Sequence, residues 1–470
     1  MAQQAITALD TALAALLARE IDAGAQLDGC TQLTAGASQE TWCVSYRDAA
    51  GDTLRLALRR AQPTAGQAAA VGGISLATEA RLLQLAAAAG VPCPAVRYVL
   101  QPGDGLGDGF LMQWLQGETL GKRIVQSPQL AQVRPRLARE CGRVLAQVHA
   151  IDWRAARLDD HLPVVDPATL VDETFAVYRE LDAPQPMIDY CWRWLREHLP
   201  RRSRTALVHG DFRNGNLMVN EHGIVAVLDW ELAHIGDPVR DLGWLCVNSW
   251  RFGNAALPVG GFGAIDELLD GYNEAAGTDV SADELAFWQV FGSFWWAAVT
   301  LQMAQGWRSG ETPSLERPVI GRRSSEAQMD CVNLLIPGDY PLPEADRALD
   351  TGTQLPMPAE LIEGVAAFLK EELAPDLDPH RQFLARVGAN SLRIAQRELL
   401  YGAELARAEH EQLRQLLDAS GDLDALRREL SARLRDDLPL DTPGLADHLR
   451  QTVAGRLFVD QPRYWALRRD

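Results

Sequence analysis

The sequence predicts an α+β fold followed by an all-α C-terminal segment, and three observations support this prediction. Near the N-terminus, short stretches alternate between apolar and polar residues, as at 54–60, which is typical of β-strands. Later in the chain most apolar residues recur at helical spacing, apart from three short apolar runs between 206 and 228. Residues 359–470 keep helical spacing throughout. At 470 residues the chain is long enough for roughly two or three domains.

The composition argues against two classes of partner. The formal charge of −18 and the pI near 5.0 oppose binding to nucleic acid or to anionic lipid, because both need a basic surface. The segment 285–307 carries no charge, but Gln289, Ser293 and Gln302 interrupt it, so we interpret it as a buried helix and not as a membrane span. The sequence therefore predicts neither a nucleic-acid partner nor a membrane partner.

The cysteines favour a reducing compartment. There are seven of them, they are scattered, and no two are spaced as CxxC. This pattern argues against a disulfide framework and against a structural zinc site. The first twenty residues have no basic start and include Asp10, so no secretory signal is expected. We therefore expect a cytoplasmic protein.

Small residues between two predicted strands form a candidate phosphate-binding turn. A helix is expected over residues 6–21, and a strand, a turn and a second strand are expected over 32–44. The turn contains Gly36, Ala37 and Ser38, whose small side chains would let backbone N–H groups approach a polyphosphate. An ordinary hairpin turn would have the same composition, so this alternative stays open.

The next strand and helix carry a candidate ion pair. Alternation along 54–60 puts Ala57 and Arg59 on one face of the strand. A helix is expected over 75–89, and its Glu79 is a candidate partner that would fix the direction of Arg59. The alternatives are an exposed arginine on an edge strand and a solvent-facing glutamate.

Three polar side chains follow the short apolar runs in the middle of the chain. Asp211, Asn216 and Asp229 stand where predicted strands end, beside turns that contain glycine. An amide and a carboxylate brought together in this way are suitable ligands for a hard cation. We therefore predict that Asn216 and Asp229 hold Mg²⁺ and that Asp211 orients an acceptor hydroxyl. Turn-favouring residues with no chemical role are the alternative.

The order of these residues carries a family resemblance. His209-Gly210-Asp211, then Asn216, then Asp229 eighteen positions after Asp211, resembles the catalytic and metal loops of the aminoglycoside phosphotransferase-like kinases, relatives of the protein kinases. The resemblance implies a two-lobed protein-kinase-like fold, with a small antiparallel β-sheet in the N-terminal lobe and a mainly helical C-terminal lobe. It also implies ATP and Mg²⁺ as cofactors.

The resemblance extends to further positions. It implies that the turn at residues 36–38 covers the phosphates of ATP, that Ala57 lies under the adenine, and that Arg59 stands where the family has lysine. It also implies that the backbone of Gln113 and Leu115 holds the adenine edge. His149 is expected to be a core histidine, and Asp237 is expected to secure the metal loop by accepting backbone hydrogen bonds.

The expected organisation has four parts. Residues 1–115 form the N-terminal lobe with a leading helix, 116–337 the C-terminal lobe, 338–358 a linker, and 359–470 a helical accessory domain. The last part resembles an uncharacterised helical domain that accompanies kinases of this branch. Helices are expected over the following ranges: 130–151, 360–372, 382–407, 409–417, 423–437 and 443–458.

A further resemblance concerns the acceptor. The kinase region resembles the kinase domain of acyl-CoA-dehydrogenase fusions, which implies a hydroxyacyl-CoA, with a 4-hydroxyacyl-CoA as the sharpest guess. Arg322, Arg323, Arg393 and Arg397 would then meet the CoA phosphates, although Arg322 and Arg323 can equally form structural ion pairs. The alternatives are an aminoglycoside or another small alcohol such as a choline-like or homoserine-like acceptor. An alternative of another class is a nucleotide-binding pseudokinase that recruits a partner.

Overall fold

The structure, a computed structural model, describes residues 2–35, 39–61, 73–202, 204–344 and 355–467. The chain divides into two compact units. The first comprises Met1–Asp166, Arg202–Cys246 and Trp250–Leu285, and the second comprises Pro167–Arg201, Val247–Ser249 and Ala286–Asp470. Each unit is therefore assembled from segments that are distant in sequence. The four-part division expected from the sequence stays a prediction.

An antiparallel sheet forms the N-terminal part of the first unit. Its elements in chain order are α1 (Ala2–Leu16), β1 (Gln26–Ala35), β2 (Gln39–Arg47), β3 (Thr53–Ala61), α2 (Leu76–Ala88), β4 (Val96–Val99) and β5 (Gly109–Gln113). The five strands lie in the order β1-β2-β3-β5-β4. Strand β3 is therefore an interior strand, paired with β2 on one side and with β5 on the other.

The alternation along β3 divides its side chains between two environments. Leu56 and Leu58 lie in a buried apolar core that they share with Leu13 and Leu16 of α1. Because successive side chains of a strand point to opposite faces, Arg59 lies on the other face of the sheet. The register places Arg59 opposite Phe110 of β5. Arg59 is therefore not an exposed residue on an edge strand.

Helices and two short strand pairs make up the middle of the chain. In order they are α3 (Gly121–Gln126), α4 (Leu137–His149), α5 (Pro167–Arg179), α6 (Pro186–Glu197), β6 (Ala206–Val208), β7 (Leu217–Asn220), β8 (Gly223–Val227), β9 (His234–Gly236), α7 (Val239–Leu245) and α8 (Ile265–Ala276). Strand β6 pairs with β9, and β7 pairs with β8. The three strands expected between 206 and 228 are present, whereas β9 was not expected.

The helix expected over residues 130–151 is shorter than the sequence indicated. Helix α4 begins at Leu137, after two short 3₁₀ turns at Pro128–Leu130 and Arg134–Arg136. Pro135 has no backbone N–H and disfavours helical geometry in the residue before it, so the continuous helix begins only beyond this proline.

The rest of the chain is helical. Its helices are α9 (Ala282–Arg308), α10 (Glu316–Arg322), α11 (Ser324–Leu335), α12 (Pro358–Ala367), α13 (Pro379–Leu417), α14 (Leu423–Asp436) and α15 (Leu445–Asp460). Helix α9 contains the uncharged segment and buries Trp288, Phe291 and Phe294. Among the helices of the described ranges, none has the length and apolar character needed to cross a membrane.

Two helices expected over residues 382–417 are a single helix. Helix α13 runs without a break through Ala408, where we expected an interruption. Residues 403–417 contain neither glycine nor proline, so nothing in the local sequence ends the helix there. The predicted α+β fold class, with an N-terminal antiparallel sheet and an all-helical C-terminal segment, is confirmed.

Candidate active site

Strand β6 leads directly into the loop His209-Gly210-Asp211. Gly210 has a φ of +85°, a left-handed conformation that side chains other than glycine rarely adopt. A Cβ atom at this position would lie 2.2 Å from the main-chain oxygen of Leu232. Glycine is therefore required both by the turn and by the close approach of the next loop.

The carboxylate of Asp211 is surrounded by three N–H donors. Trp244 Nε1 donates to its Oδ1 at 2.7 Å, and Arg213 Nε donates to the same oxygen at 2.9 Å. Asn216 Nδ2 donates to Oδ2 at 2.6 Å. The side chain of Asp211 is 13% exposed, so the carboxylate is held firmly and remains partly accessible.

Asn216 and Asp229 lie at the ends of the strand pair β7–β8. Backbone pairing links their loops, because the N–H of Leu228 donates to the carbonyl of Asn216 at 2.8 Å. The amide nitrogen of Asn216 donates to the main-chain oxygen of Asp211 at 2.9 Å as well as to its side chain, so the amide oxygen is the atom left to meet a cation. Asp229 has a φ of +64°, an uncommon conformation for a residue other than glycine.

The donor set suits Mg²⁺ bound together with a nucleotide. Mg²⁺ prefers oxygen ligands, and in phosphoryl-transfer sites one or two protein ligands are joined by substrate phosphates and water. Asn216 and Asp229 supply one amide oxygen and one carboxylate of this kind. Within the described ranges, no group of three or more His, Cys, Asp or Glu side chains could hold a metal ion by itself. The chemistry of the pair thus fits a metal that arrives with its phosphates.

Arg59 connects the sheet to helix α2 and to the metal loop. Its Nε donates to Glu79 Oε2 at 3.0 Å, and its Nη2 donates to Asp229 Oδ1 at 2.7 Å. Glu231 lies farther away, with 3.9 Å between Nη2 and Oε2. Glu79 is only 2% exposed, and burial raises the pKa of its carboxyl group to about 7 against the opposing charge of Arg59. The ion pair expected between Arg59 and Glu79 is present, and a solvent-facing Glu79 is excluded.

The structure describes some of the other residues that were predicted to contact the nucleotide. Ala57 is buried in β3 opposite Met112. The backbone N–H of Gln113 donates to the carbonyl of Ala95 at 2.8 Å, and the expected contact between the Gln113 backbone and adenine stays a prediction. Leu115 follows the end of β5. Gly36, Ala37 and Ser38 lie outside the described residues.

Asp241, for which the sequence predicted no role, anchors the catalytic loop. Its carboxylate accepts the backbone N–H groups of His209 at 2.8 Å and Gly210 at 2.9 Å. It also lies 3.1 Å from Nε2 of His149, whose Nδ1 lies 3.0 Å from the hydroxyl of Tyr272. Burial alone would raise the pKa of Asp241, but the hydrogen bond and charge of His149 lower it to about 2. His149 is a core histidine, as expected.

The neighbouring Asp237 accepts the backbone N–H of Val239 at the start of α7 at 3.0 Å, and its expected role in securing the metal loop stays a prediction. The indole of Trp244 was another residue without an expected role. It packs edge-to-face against Trp250, with 5.1 Å between ring centroids, and the guanidinium of Arg213 lies over Trp250 at 4.3 Å. No spacing rule in the sequence indicates that this indole meets Asp211, because the two residues are 33 positions apart.

The arginines proposed for CoA binding have partners within the second unit. Arg322 pairs with Asp460 at 3.1 Å and with Glu398, and Arg323 pairs with Glu326 at 3.1 Å. Arg393 pairs with Glu363, and Arg397 donates to the main-chain oxygens of Val459 and Asp460. The expectation that the four residues meet CoA phosphates stays a prediction, and such contacts would compete with these partners. The alternative of structural ion pairs for Arg322 and Arg323 is confirmed.

Comparisons with known proteins agree with this geometry. The family model described as "Phosphotransferase enzyme family" matches residues 29–278, and a model described as "Domain of unknown function (DUF6285)" matches residues 375–464. The chain is 33% identical over 178 residues to acyl-CoA dehydrogenase family member 10 of Mus musculus, covering 36% of this chain and 16% of that protein. It is 26% identical over 256 residues to the Arabidopsis thaliana protein named "Probable acyl-CoA dehydrogenase IBR3", covering 48% of this chain and 30% of that protein.

The chain therefore matches less than a third of the length of either relative. Among solved structures, a Ralstonia eutropha protein assigned to the aminoglycoside phosphotransferases superposes with a TM-score of 0.55 at 22% identity, covering 68% of this chain and 96% of that one. At this identity the match shows a shared fold.

Proposed function

This chain belongs to the phosphotransferase enzyme family, and from that premise we propose that it transfers the γ-phosphoryl group of ATP to a hydroxyl group of a small molecule. The observation that carries the proposal is the carboxylate of Asp211, which three N–H donors hold beside Asn216 while one side remains accessible. Phosphoryl transfer depends mainly on positioning and on charge stabilisation, and this arrangement supplies a fixed acceptor for the proton of the incoming hydroxyl.

We assign the metal to the adjacent loops. Asn216 and Asp229 would hold Mg²⁺, which when bound neutralises charge that develops on the transferring phosphoryl group. Arg59, which is hydrogen-bonded to Glu79 through Nε, would bind the nucleotide phosphates through the Nη2 group that contacts Asp229 in the structure. The turn at Gly36, Ala37 and Ser38 would cover the phosphates, and Ala57, the carbonyl of Gln113 and the backbone of Leu115 would contact the adenine.

We propose a hydroxyacyl-CoA as the acceptor, with a 4-hydroxyacyl-CoA as the first choice. Support comes from the two relatives whose names identify them as acyl-CoA dehydrogenases. Phosphorylation would convert a poor leaving hydroxyl into a phosphate that can be eliminated. Arg322, Arg323, Arg393 and Arg397 would meet the CoA phosphates only in competition with the partners that they already have in the structure.

An aminoglycoside is the second candidate, since a cationic acceptor would suit a protein with a net charge of −18. A pseudokinase remains the alternative of another class, and the contact between Arg59 and Asp229 favours it, because that contact occupies the metal aspartate. We further propose that residues 359–470 act as an accessory module that docks a partner or shapes the substrate site. The seven free cysteines support a cytoplasmic location.

The test measures release of ADP from ATP with a panel of hydroxyacyl-CoAs and aminoglycosides at several Mg²⁺ concentrations. We expect turnover with one acceptor class, and a loss of about 10²- to 10⁴-fold in kcat for Asp211→Asn, because the variant cannot accept the proton. Asp159→Asn, at an exposed aspartate, is the matched control and should retain activity. Binding of Mg-ATP without turnover of any acceptor would favour the pseudokinase.

A further inference from the structure

The two oxygens of the Asp211 carboxylate have unequal surroundings. A carboxylate oxygen offers about two lone pairs for hydrogen bonding. Oδ1 receives both Trp244 Nε1 and Arg213 Nε, so its capacity is filled. Oδ2 receives Asn216 Nδ2 and keeps capacity for one more donor. An incoming hydroxyl that donates its proton to this carboxylate therefore has one oxygen to approach.

Trp244 is built so that its N–H has a fixed direction. It lies in helix α7 with its ring buried, and Trp250 packs against that ring edge-to-face. A buried indole N–H needs an acceptor, and the acceptor here is the proposed catalytic carboxylate at 2.7 Å. The indole thus restrains the plane of a carboxylate that belongs to a different element of the chain.

We propose that Trp244 is a positioning residue which, together with Arg213, fills Oδ1 of Asp211 and leaves Oδ2 as the single oxygen that receives the acceptor hydroxyl. This inference rests on the proposed function, since it concerns how the same carboxylate is used. In this proposal, the hydrogen bond from the indole N–H makes the two otherwise equivalent oxygens of the carboxylate different. Without that N–H, a hydroxyl or water could bind Oδ1 in an orientation unsuited to in-line attack.

The role of Trp244 is separable from metal binding. Asn216 keeps a hydrogen bond to the main-chain oxygen of Asp211 at 2.9 Å, which holds its amide whatever the carboxylate does. Loss of the indole N–H should therefore slow the chemical step and leave the affinities for Mg²⁺ and ATP unchanged.

The kinetic test uses Trp244→Phe, which keeps an aromatic ring against Trp250 and removes the N–H. Hydrolysis of Mg-ATP with water as the acceptor is the reaction measured, so no other acceptor has to be known. We expect kcat to fall about tenfold, which corresponds to about 1.4 kcal/mol, while the KM for ATP and the half-saturating Mg²⁺ concentration change by less than about twofold. A kcat equal to that of the unmodified protein overturns the positioning role, and so does an equal loss of ATP and Mg²⁺ affinity.

The matched control is Trp42→Phe. Trp42 also donates its indole N–H to a carboxylate, that of Glu40 at 2.9 Å, but it packs in the sheet core with α1. It should lose some stability and keep the kcat of the unmodified protein. An equal fall in kcat for both variants would show a general cost of losing an indole hydrogen bond and would overturn the proposal.

A second measurement does not depend on activity. With 5-fluorotryptophan in place of the thirteen tryptophans, the ¹⁹F resonance of Trp244 is assigned by its absence in Trp244→Phe. We expect Asp211→Asn to move this resonance more than the resonance of Trp42. If the Trp244 line does not move, the contact and the inference fail together. If the unmodified protein hydrolyses no ATP and phosphorylates no acceptor, the proposed function fails. A shift of the Trp244 resonance in Asp211→Asn would then show that the contact between Trp244 and Asp211 is nevertheless present.

Discussion

At Arg59, one guanidinium group serves two carboxylates from different parts of the chain. Its planar fork donates through Nε to Glu79 and through Nη2 to Asp229. A lysine ammonium is a compact charge that lacks this two-pronged geometry. The arginine that departs from the family lysine is therefore well suited to hold both carboxylates at once, and its side chain is only 15% exposed.

We predict that Arg59→Met weakens ATP binding and lowers the free energy of unfolding. The variant leaves the buried carboxyl of Glu79 without its partner, a change that costs about 3–5 kcal/mol in comparable sites. Isothermal titration with a non-hydrolysable ATP analogue and thermal melting measure the two effects.

The neighbouring Arg60 supplies the control for this prediction. Arg60 pairs with Glu40 at 3.0 Å and lies over Trp42, so Arg60→Met also breaks a half-buried ion pair. It should reduce stability without changing ATP affinity. Equal losses of ATP affinity in both variants would contradict the assignment of Arg59 to the nucleotide.

Residues with local signals were predictable, and residues that act over long sequence distances were not. The strand alternation and the helix spacing indicated the elements that carry Arg59 and Glu79, the resemblance to kinases implied that the two residues pair, and the ion pair is present. Asp241 accepts the backbone N–H of His209, and Trp244 donates to the carboxylate of Asp211. In each case the two residues are more than thirty positions apart in the sequence. Such contacts leave no periodic trace, so they emerge only when the loops are placed in space.

At the level of elements, α14 is joined to α6 by a buried ion pair. Arg435 Nη1 donates to Asp189 Oδ1 at 2.8 Å, and the hydroxyl of Tyr178 donates to Oδ2 at 3.0 Å. Asp189 is fully buried, and burial raises the pKa of its carboxyl group. Both helices belong to the second unit, so this contact holds together distant segments of the same unit.

We predict that Arg435→Ala lowers the free energy of unfolding by about 3–5 kcal/mol, because it leaves a buried carboxylate with one partner fewer. Arg428→Ala is the control on the same helix, since Arg428 forms an exposed pair with Asp182 worth less than about 1 kcal/mol. Chemical denaturation of both variants measures the difference. Similar losses would show that the buried pair adds nothing specific.

A buried histidine in α15 predicts how stability depends on pH. Burial lowers the pKa of His448 to about 4, against the charge of Glu409, while Arg427 acts in the same direction as burial. The unfolded chain binds a proton at this residue below about pH 6.5, whereas the folded chain does so only below about pH 4. Stability is therefore complete above pH 6.5 and falls by about 3 kcal/mol as the pH drops to 4.

His448→Gln should flatten this part of the pH profile, since glutamine does not titrate. His222→Gln provides the comparison, because the side chain of His222 is 82% exposed. Denaturation midpoints measured between pH 4 and pH 7 report how steeply the stability of each variant changes with pH. If both variants kept the slope of the unmodified protein, the effect would belong to other groups.

Element types were predicted better than element limits. The strand pair β7–β8 and helices α14 and α15 follow the apolar pattern, because that pattern records which face is buried. The start of α4 and the continuity of α13 depended on individual residues, namely Pro135 and the absence of a helix breaker near Ala408. Strand β9 has three residues, which are too few to show a period of two in the sequence.

At the level of the whole molecule, the second unit depends on the C-terminal helices. Helix α15 packs against α11, and α14 packs against α6. Tyr464 donates to the buried carboxylate of Asp330, with 2.9 Å between its hydroxyl and Oδ2. The fold class could be predicted from composition and periodicity, but this dependence could not, because it arises from packing between distant segments.

We predict that a chain ending at residue 344 does not yield a stable second unit. Truncation would expose the faces of α6 and α11 that α14 and α15 cover, and would remove Arg435 from Asp189 and Tyr464 from Asp330. Size-exclusion chromatography should show aggregation, and circular dichroism should show a lower melting temperature.

Supplying residues 355–470 as a separate chain is the control for this truncation. If the second unit requires the packing of these helices but does not require a continuous chain, co-expression should restore a monodisperse complex. A monomeric fragment ending at residue 344 with an unchanged melting temperature would contradict the prediction.

The interleaving of the two units has a consequence for synthesis on the ribosome. The segment 167–201 emerges long before residues 445–460, which complete the unit to which both belong. A nascent chain must therefore keep early apolar surfaces soluble until translation has almost ended, so chaperones that bind nascent chains should engage it for an extended period. Recombination between genes would meet the same constraint. Residues 359–470 cannot be exchanged unless the surfaces of α6 and α11 that they pack against are exchanged with them.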